Sequence, residues 1–147
     1  MALATSIKFG TQAIRISDGA SSPTFAAPCG LTQIGKSSSA NTNETIIPYC
    51  DDPDKAERLL DEISRSKTLN FSGILSVENL AVWQAWDDAG GPRDVQWFRD
   101  LTALNGGGYY QGSGILASFE ETGDMGGRYQ ISGTIEISGA FPWTDAS

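Results

Sequence analysis

The residues able to carry chemistry are few and poorly placed for it. Asp51, Asp52 and Asp54 make the densest acidic cluster, and oxygen ligands at that spacing suit a divalent cation. The stretch lacks the turn glycine and the bidentate glutamate of a calcium loop. A helix start explains it better, with Asp52 as N-cap and Pro53 at the first helical position. Glu120 and Glu121 are adjacent, so on a strand they point to opposite faces and cannot flank one substrate. Cys29 and Cys50 are too few for a disulfide scaffold or a thiolate zinc site. They either pair across a hairpin whose ends meet near 30 and 50, or remain buried or half-buried thiols in a reducing cytoplasm, the favoured reading. Gly106-Gly107-Gly108 precedes a strand and no Lys-Ser/Thr follows, so it is not a phosphate loop. With no histidine in the chain, imidazole is unavailable as base, shuttle or ligand. The expectation is a protein without catalytic, metal or cofactor sites.

The elements that would position such residues follow from the spacing. At 147 residues, a single domain covering 1–147 is expected, large enough for its own core. No apolar run approaches the roughly 20 residues of a membrane helix, and Met1 to Gly10 has no secretory pattern. Ile14 and Ile16 alternate with Arg15 before an Asp18-Gly19 turn. A loop is expected at 21–28 and a short strand at Leu31–Lys36. The polar run Ser37–Asn43 reads as an exposed hairpin tip, with Glu44–Cys50 as the returning arm. The hairpin or loop region thus spans about 30–67. Ala56, Leu59, Leu60 and Ile63 recur at helical spacing, which predicts a short helix over 53–65; a long charged loop is the alternative. Leu69, Phe71, Leu75 and Val77 share one strand face. Asn79 starts a helix in which Leu80, Val82, Trp83 and Trp86 form the apolar side, and Gly90-Gly91-Pro92 ends it. The two tryptophans are most simply core, packed on the sheet holding Phe71 and Leu75.

Three strands complete the chain: 94–101, 109–121 and 128–139. In the last, Ile131, Ile135 and Ile137 face the core while Gln130, Ser132, Thr134, Glu136 and Ser138 face away. The fold class is therefore mainly β, sandwich or barrel-like, with one flanking helix and room for a second short one.

The order of five segments resembles the major tail tube proteins of long-tailed, siphovirus-like bacteriophages and of phage-derived gene transfer agents. They are Phe25-Ala26-Ala27-Pro28-Cys29-Gly30-Leu31, then Ile47-Pro48-Tyr49-Cys50-Asp51-Asp52-Pro53-Asp54. Next come Phe71-Ser72-Gly73-Ile74-Leu75-Ser76 with the Trp helix, and Tyr109-Tyr110-Gln111-Gly112-Ser113-Gly114-Ile115-Leu116-Ala117-Ser118-Phe119. The last is Ile131-Ser132-Gly133-Thr134-Ile135-Glu136-Ile137-Ser138-Gly139 with Pro142-Trp143-Thr144-Asp145. The segment from Lys55 to Lys67 departs from the family pattern, in which this stretch is a loop or a strand approach.

The resemblance implies hexameric rings stacked into a tube through which DNA passes without specific binding. It implies no enzymatic activity and no cofactor. The implied partners are further copies of the chain, a tape measure protein, a tail terminator and a distal tail protein. The implied location is the virion tail, assembled in the host cytoplasm. Gln130, Ser132, Thr134, Glu136 and Ser138 become lumen candidates, because a small, uncharged-to-acidic face suits a bore that must not grip a polyanion. Ser37, Ser38, Ser39, Asn41, Asn43, Asp51, Asp52, Asp54, Lys55, Glu57 and Arg58 become candidates for contact with an adjacent ring. The formal charge is −8, with 10 Lys+Arg against 18 Asp+Glu, so a basic nucleic-acid footprint is missing. The segment charges are +1 over 1–50, −2 over 51–67, −3 over 68–100 and −4 over 101–147. Two rivals remain at this stage. One is a tail terminator or head–tail joining ring. The other is a monomeric β-sandwich binding module, with Tyr49, Tyr109 and Tyr110 as groove aromatics.

Overall fold

A computed structural model describes residues 2–19 and 24–146, so part of the loop expected at 21–28 lies outside the described residues. The strands are β1 (Gln12–Ser17), β2 (Phe25–Ala26), β3 (Leu31–Pro48), β4 (Ala56–Ile74), β5 (Pro92–Arg99), β6 (Gly108–Thr122), β7 (Gln130–Ser138) and β8 (Trp143–Asp145). One helix, α1 (Val77–Ala89), separates β4 from β5. The strands form one eight-stranded sheet in the order β2-β1-β5-β6-β7-β4-β3, with β8 beside the start of β6. Every pairing is antiparallel.

The apolar positions of alternating strands converge on one core. Ile14 and Ile16 of β1, Leu69 and Phe71 of β4, Val95 and Trp97 of β5, and Ile131 and Ile135 of β7 are buried there. Leu31 and Ile34 of β3 pack against the same cluster. The two ends of the sheet therefore face each other across the core, and a cleft of about 220 Å³ between them is lined by β1 and β3 residues. Helix α1 covers part of this interior. Trp83 stacks on Phe71 at 4.2 Å between centroids and lies 6.5 Å from Trp86; both tryptophans are fully buried. This is the packing expected from their spacing.

The helix start is built differently from the reading above. Ser76 is the N-cap, and Asn79 is the third helical residue of a capping box. The Asn79 side chain accepts from the Ser76 N–H at 3.0 Å, and the Asn79 N–H donates to Ser76 Oγ at 3.2 Å. Asn79 Nδ2 also donates to the carbonyls of Cys29 and Ile74, which ties the helix to the chain entering β3. Val77, assigned above to a strand face, begins the helix and is exposed.

The largest correction concerns 31–74. No second α-helix forms among the described residues; two single-turn 3-10 helices, Phe9–Thr11 and Ala103–Asn105, lie elsewhere. Residues 56–65 continue β4, which runs 19 residues and pairs with 18-residue β3 from Leu31↔Gly73 to Pro48↔Ala56. Ser37–Asn43 is thus not a hairpin tip but ladder, opposite 61–68. The tip is 49–55. The Tyr49 N–H donates to the Lys55 carbonyl at 3.0 Å, and the Lys55 N–H to the Asp52 carbonyl at 3.0 Å. Asp52-Pro53 therefore initiates a β-turn, with proline at its second position, instead of a helix. The physical reason lies in the partner strand. Leu59 and Leu60 fit helical spacing, but as neighbours on a strand they put one apolar group on each face, as Ile46 and Ile47 do on the partner strand, where they pair with Arg58 and Glu57. The long ladder satisfies every other backbone group at once, which an isolated helix of this length does not outcompete.

Candidate functional face

The pairing register assembles one polar surface across four strands. On β7 it carries Gln130, Ser132, Thr134, Glu136 and Ser138, as their alternation predicts. Ser132 faces Ser72 of β4 and Glu120 of β6; Thr134 faces Asn70 and Ser118. Ser72 and Asn70 in turn face Gln33 and Gly35 of β3. Gln33, Asn70, Ser72, Ser118, Glu120, Ser132 and Thr134 line a concave depression of about 520 Å³. Further out, Ser39 and Ser66 hydroxyls bond at 2.8 Å and Asn41 Nδ2 donates to Ser64 Oγ at 3.2 Å.

Two features give this surface its shape. Gly133 lies between Ile131 and Ile135 on the apolar side, where Phe71 fills the missing side-chain volume; a Cβ there would stand 2.6 Å from Phe71 Cζ. A bulge in β6 between Leu116 and Ser118 realigns the strand so that Ser118 and Glu120 join the polar side and Phe119 the core. Gln33 and Ser118 were not singled out from the sequence, and Asn70, Ser72 and Glu120 were not assigned to a common face with β7. Alternation identifies the outward residues of each strand, but only the register reveals which strands lie side by side.

Charge is segregated between the two sides of these strands. Glu120 and Glu136 stand on the polar side. The basic residues of the same strands, Lys36, Arg58, Arg65 and Lys67, lie on the other side, that of Leu69 and Phe71. Between Gln33 and Asn41 on β3, and along the paired parts of β4, β6 and β7, this face carries carboxylates but no ammonium or guanidinium group.

The remaining candidates separate. Ser37, Ser39 and Asn41 fall on the polar face with β7, and Ser38 on the other side. Asn43, Glu57 and Arg58 lie on the outer hairpin, where Arg58 pairs with Glu44 at 3.8 Å. Asp51, Asp52, Asp54 and Lys55 are at the tip, with Lys55 3.8 Å from Asp52. The three aspartates gather no further metal-ligating groups among the described residues. Tyr49, at the same tip, donates its hydroxyl to Glu57. That bond, and secondarily desolvation, pushes the phenol above its ordinary pKa. Tyr49 is thus a hairpin's length from Tyr109 and Tyr110, and the three do not share a groove. Cys29 and Cys50 are exposed free thiols, not the buried or half-buried ones expected. They flank opposite ends of β3, about 60 Å apart by strand rise, so they cannot pair within one chain.

A long antiparallel sheet with one polar concave face, a projecting hairpin and a single capping helix defines a structural β protein of the kind that assembles. The chain matches the phage tail tube protein family over residues 10–142 and belongs to it. Its place is in the tail tube, and its role there is structural. No curated protein sequence matches it. Among solved structures it is similar to the tail of an empty gene transfer agent particle, refined with C6 symmetry: TM-score 0.74, 17% identity, 95% of this chain and 99% of that one covered. The tail tube of SPP1 is similar at TM-score 0.72 and 14% identity, covering 96% of this chain and 80% of that one. A chain of the native gene transfer agent virion follows at TM-score 0.69 and 14% identity, with 95% and 99% covered.

Proposed function

We propose that six copies of this chain, as one tail-tube domain each, close into a ring. The rings stack into a tube whose bore is the polar face of β3, β4, β7 and β6. The observation that carries this reading is the charge segregation: the face offers hydroxyls, amides and carboxylates, and the cations of the same strands point away. Counterion release would make a basic bore adhesive to DNA; an acidic, hydroxyl-rich one repels it and leaves it free to slide. Ring closure has a ready means. β3 has no neighbour on its outer edge among the described residues, and β6 is paired with β5 only as far as Ile115, so residues 116–122 expose a second edge. Pairing the β3 edge of one copy with the 116–122 edge of the next removes both liabilities at once. The hairpin beyond Asn41, with Asn43, Asp51, Asp52, Asp54, Lys55, Glu57 and Arg58, reaches to an adjacent ring. A tape measure protein would occupy the bore during assembly in the host cytoplasm, with terminator and distal tail proteins at the two ends.

Negative-stain microscopy of the concentrated protein tests this reading. Long tubes of uniform diameter are the expected result. Single rings that never lengthen would point instead to a terminator or joining ring. A strictly monomeric species at high concentration, with or without an added tail initiator, would overturn it.

A further inference from the structure

Lys36 and Lys67 form a cationic site that no carboxylate answers among the described residues. They stand at the root of the hairpin on adjacent strands, Lys36 opposite Leu69 and Lys67 opposite Ser38. Both ammonium groups lie over the Tyr110 ring, 3.9 and 4.9 Å from its centroid, and Lys67 is 5.7 Å from that of Phe141. Arg99 extends the cluster: its guanidinium is 5.4 Å from the Trp143 ring, which meets Tyr110 edge-on at 4.8 Å. Arg99 Nη1 donates to the Gly106 carbonyl at 3.0 Å, while its Nε is buried without a hydrogen-bond partner among the described residues. Among the described residues, the ion pairs are Lys55–Asp52, Arg58–Glu44 and Arg65–Glu62, and none includes these three cations. The carboxylate beside this aromatic cluster, Asp145, accepts from Trp143 Nε1 at 2.7 Å and forms no ion pair with the cations among the described residues, so in a chain of charge −8 the two lysines are left to an anion from outside. DNA in the bore is not that anion, because the lysines lie on the other side of the strands.

The complementary group is at the far end of the same hairpin. The 49–55 tip carries Asp51, Asp52 and Asp54; Lys55 answers only Asp52. From Lys36 to Pro48 is about 40 Å of strand, so tip and root of one copy cannot meet. We propose that the Asp51–Asp54 tip of one copy docks on Lys36, Lys67 and Arg99 of the copy in the next ring. The proposal rests on the tube reading above and adds to it the receiving surface. The two patches differ, so the contact is heterologous: it does not close on itself and repeats without limit, as growth along an axis requires.

The test compares tube formation, by sedimentation and microscopy, for the wild type and for Lys36→Glu/Lys67→Glu. The double variant should raise the critical concentration for assembly at least about tenfold, the size of effect expected for buried interfacial charge pairs. Adding Asp51→Lys/Asp54→Lys to the same chain should restore tubes. Independently, carbodiimide treatment of wild-type tubes grown from mixed light and heavy chains should give light-to-heavy links between 51–54 and Lys36 or Lys67. That measurement decides the matter if the double variant does not fold. Tubes from the folded double variant at wild-type concentration, or wild-type tubes without such links, overturn the contact and leave the tube reading standing. A wild type that never assembles overturns both.

Discussion

Trp83 and Trp86 look interchangeable in the sequence, yet their polar ends have different fates. Both rings are fully buried. Trp86 Nε1 donates to the Gly91 carbonyl at 3.0 Å, while Trp83 Nε1 has no partner among the described residues. What Trp83 contributes is its stacking on Phe71 and Phe119. Either tryptophan changed to Ala should cost about 3–5 kcal/mol in denaturant unfolding. The phenylalanine variants should differ: Trp83→Phe removes an unsatisfied donor, Trp86→Phe a satisfied one, so the former should cost about 1 kcal/mol less. Equal losses would mean that Trp83 Nε1 has found a partner. At the hairpin tip, the Tyr49–Glu57 bond exists only while the phenol is protonated. Its folded pKa lies above 10.0, so whatever the bond contributes is present below pH 10 and disappears as pH rises through the raised value. An ultraviolet difference titration of the wild type against Tyr49→Phe should show one tyrosine titrating above the ordinary range.

The β3–β4 hairpin carries the consequence of a two-residue apolar doublet on each strand. Ile46 and Leu60 lie on one side, Ile47 and Leu59 on the other, and all four are exposed. A two-stranded ribbon with apolar groups on both faces is marginal by itself, and the proposed tube would complete it with neighbouring copies. Leu59→Ser and Leu60→Ser should therefore leave the unfolding free energy of the dissociated chain within about 0.5 kcal/mol of wild type while assembly drops. A large loss of stability in the dissociated chain would place these side chains in the chain's own core. The opposite behaviour belongs to Gly133. A Cβ there would meet Phe71 Cζ and the Ser118 carbonyl, each at 2.6 Å, with a buried ring on one side and backbone on the other. Gly133→Ala should cost about 1–3 kcal/mol as overpacking, read from the same denaturant curves.

At the scale of the whole molecule, charge is distributed by face more than by position along the chain. The −4 of residues 101–147 matters because Glu120 and Glu136 share the concave surface with hydroxyls and amides. Around a sixfold ring, Glu136→Lys would replace each negative charge on that circle with a positive one. Tubes should still assemble, since Glu136 is exposed and outside the core. DNA delivery should fall, and the defect should ease at higher salt as screening shortens the reach of the added charge. Delivery unchanged in normally assembled tails would move this face to the outside of the tube.

Local pattern alone was enough for much of this. Ile131 and Ile135 inward with Ser132 and Thr134 outward, Val95 with Trp97, and the Trp83/Trp86 helix are all period-2 or period-3.6 statements about nearby residues. The lack of histidine and the acidic balance required no structure at all. The order of segments pointed to the tail tube family because it samples the whole chain. Residues 53–65 were misread because Ala56, Leu59, Leu60 and Ile63 satisfy helical spacing, and what overrules it is the strand at Thr42–Pro48, opposite them in space. The same nonlocal pairing moved the hairpin tip from Ser37–Asn43 to 49–55 and separated Cys29 from Cys50. It also made a single surface of Gln33, Asn70, Ser118 and Thr134, which are far apart in sequence. Faces are local because side chains alternate along one strand; neighbours are not, because register depends on which strands the core brings together.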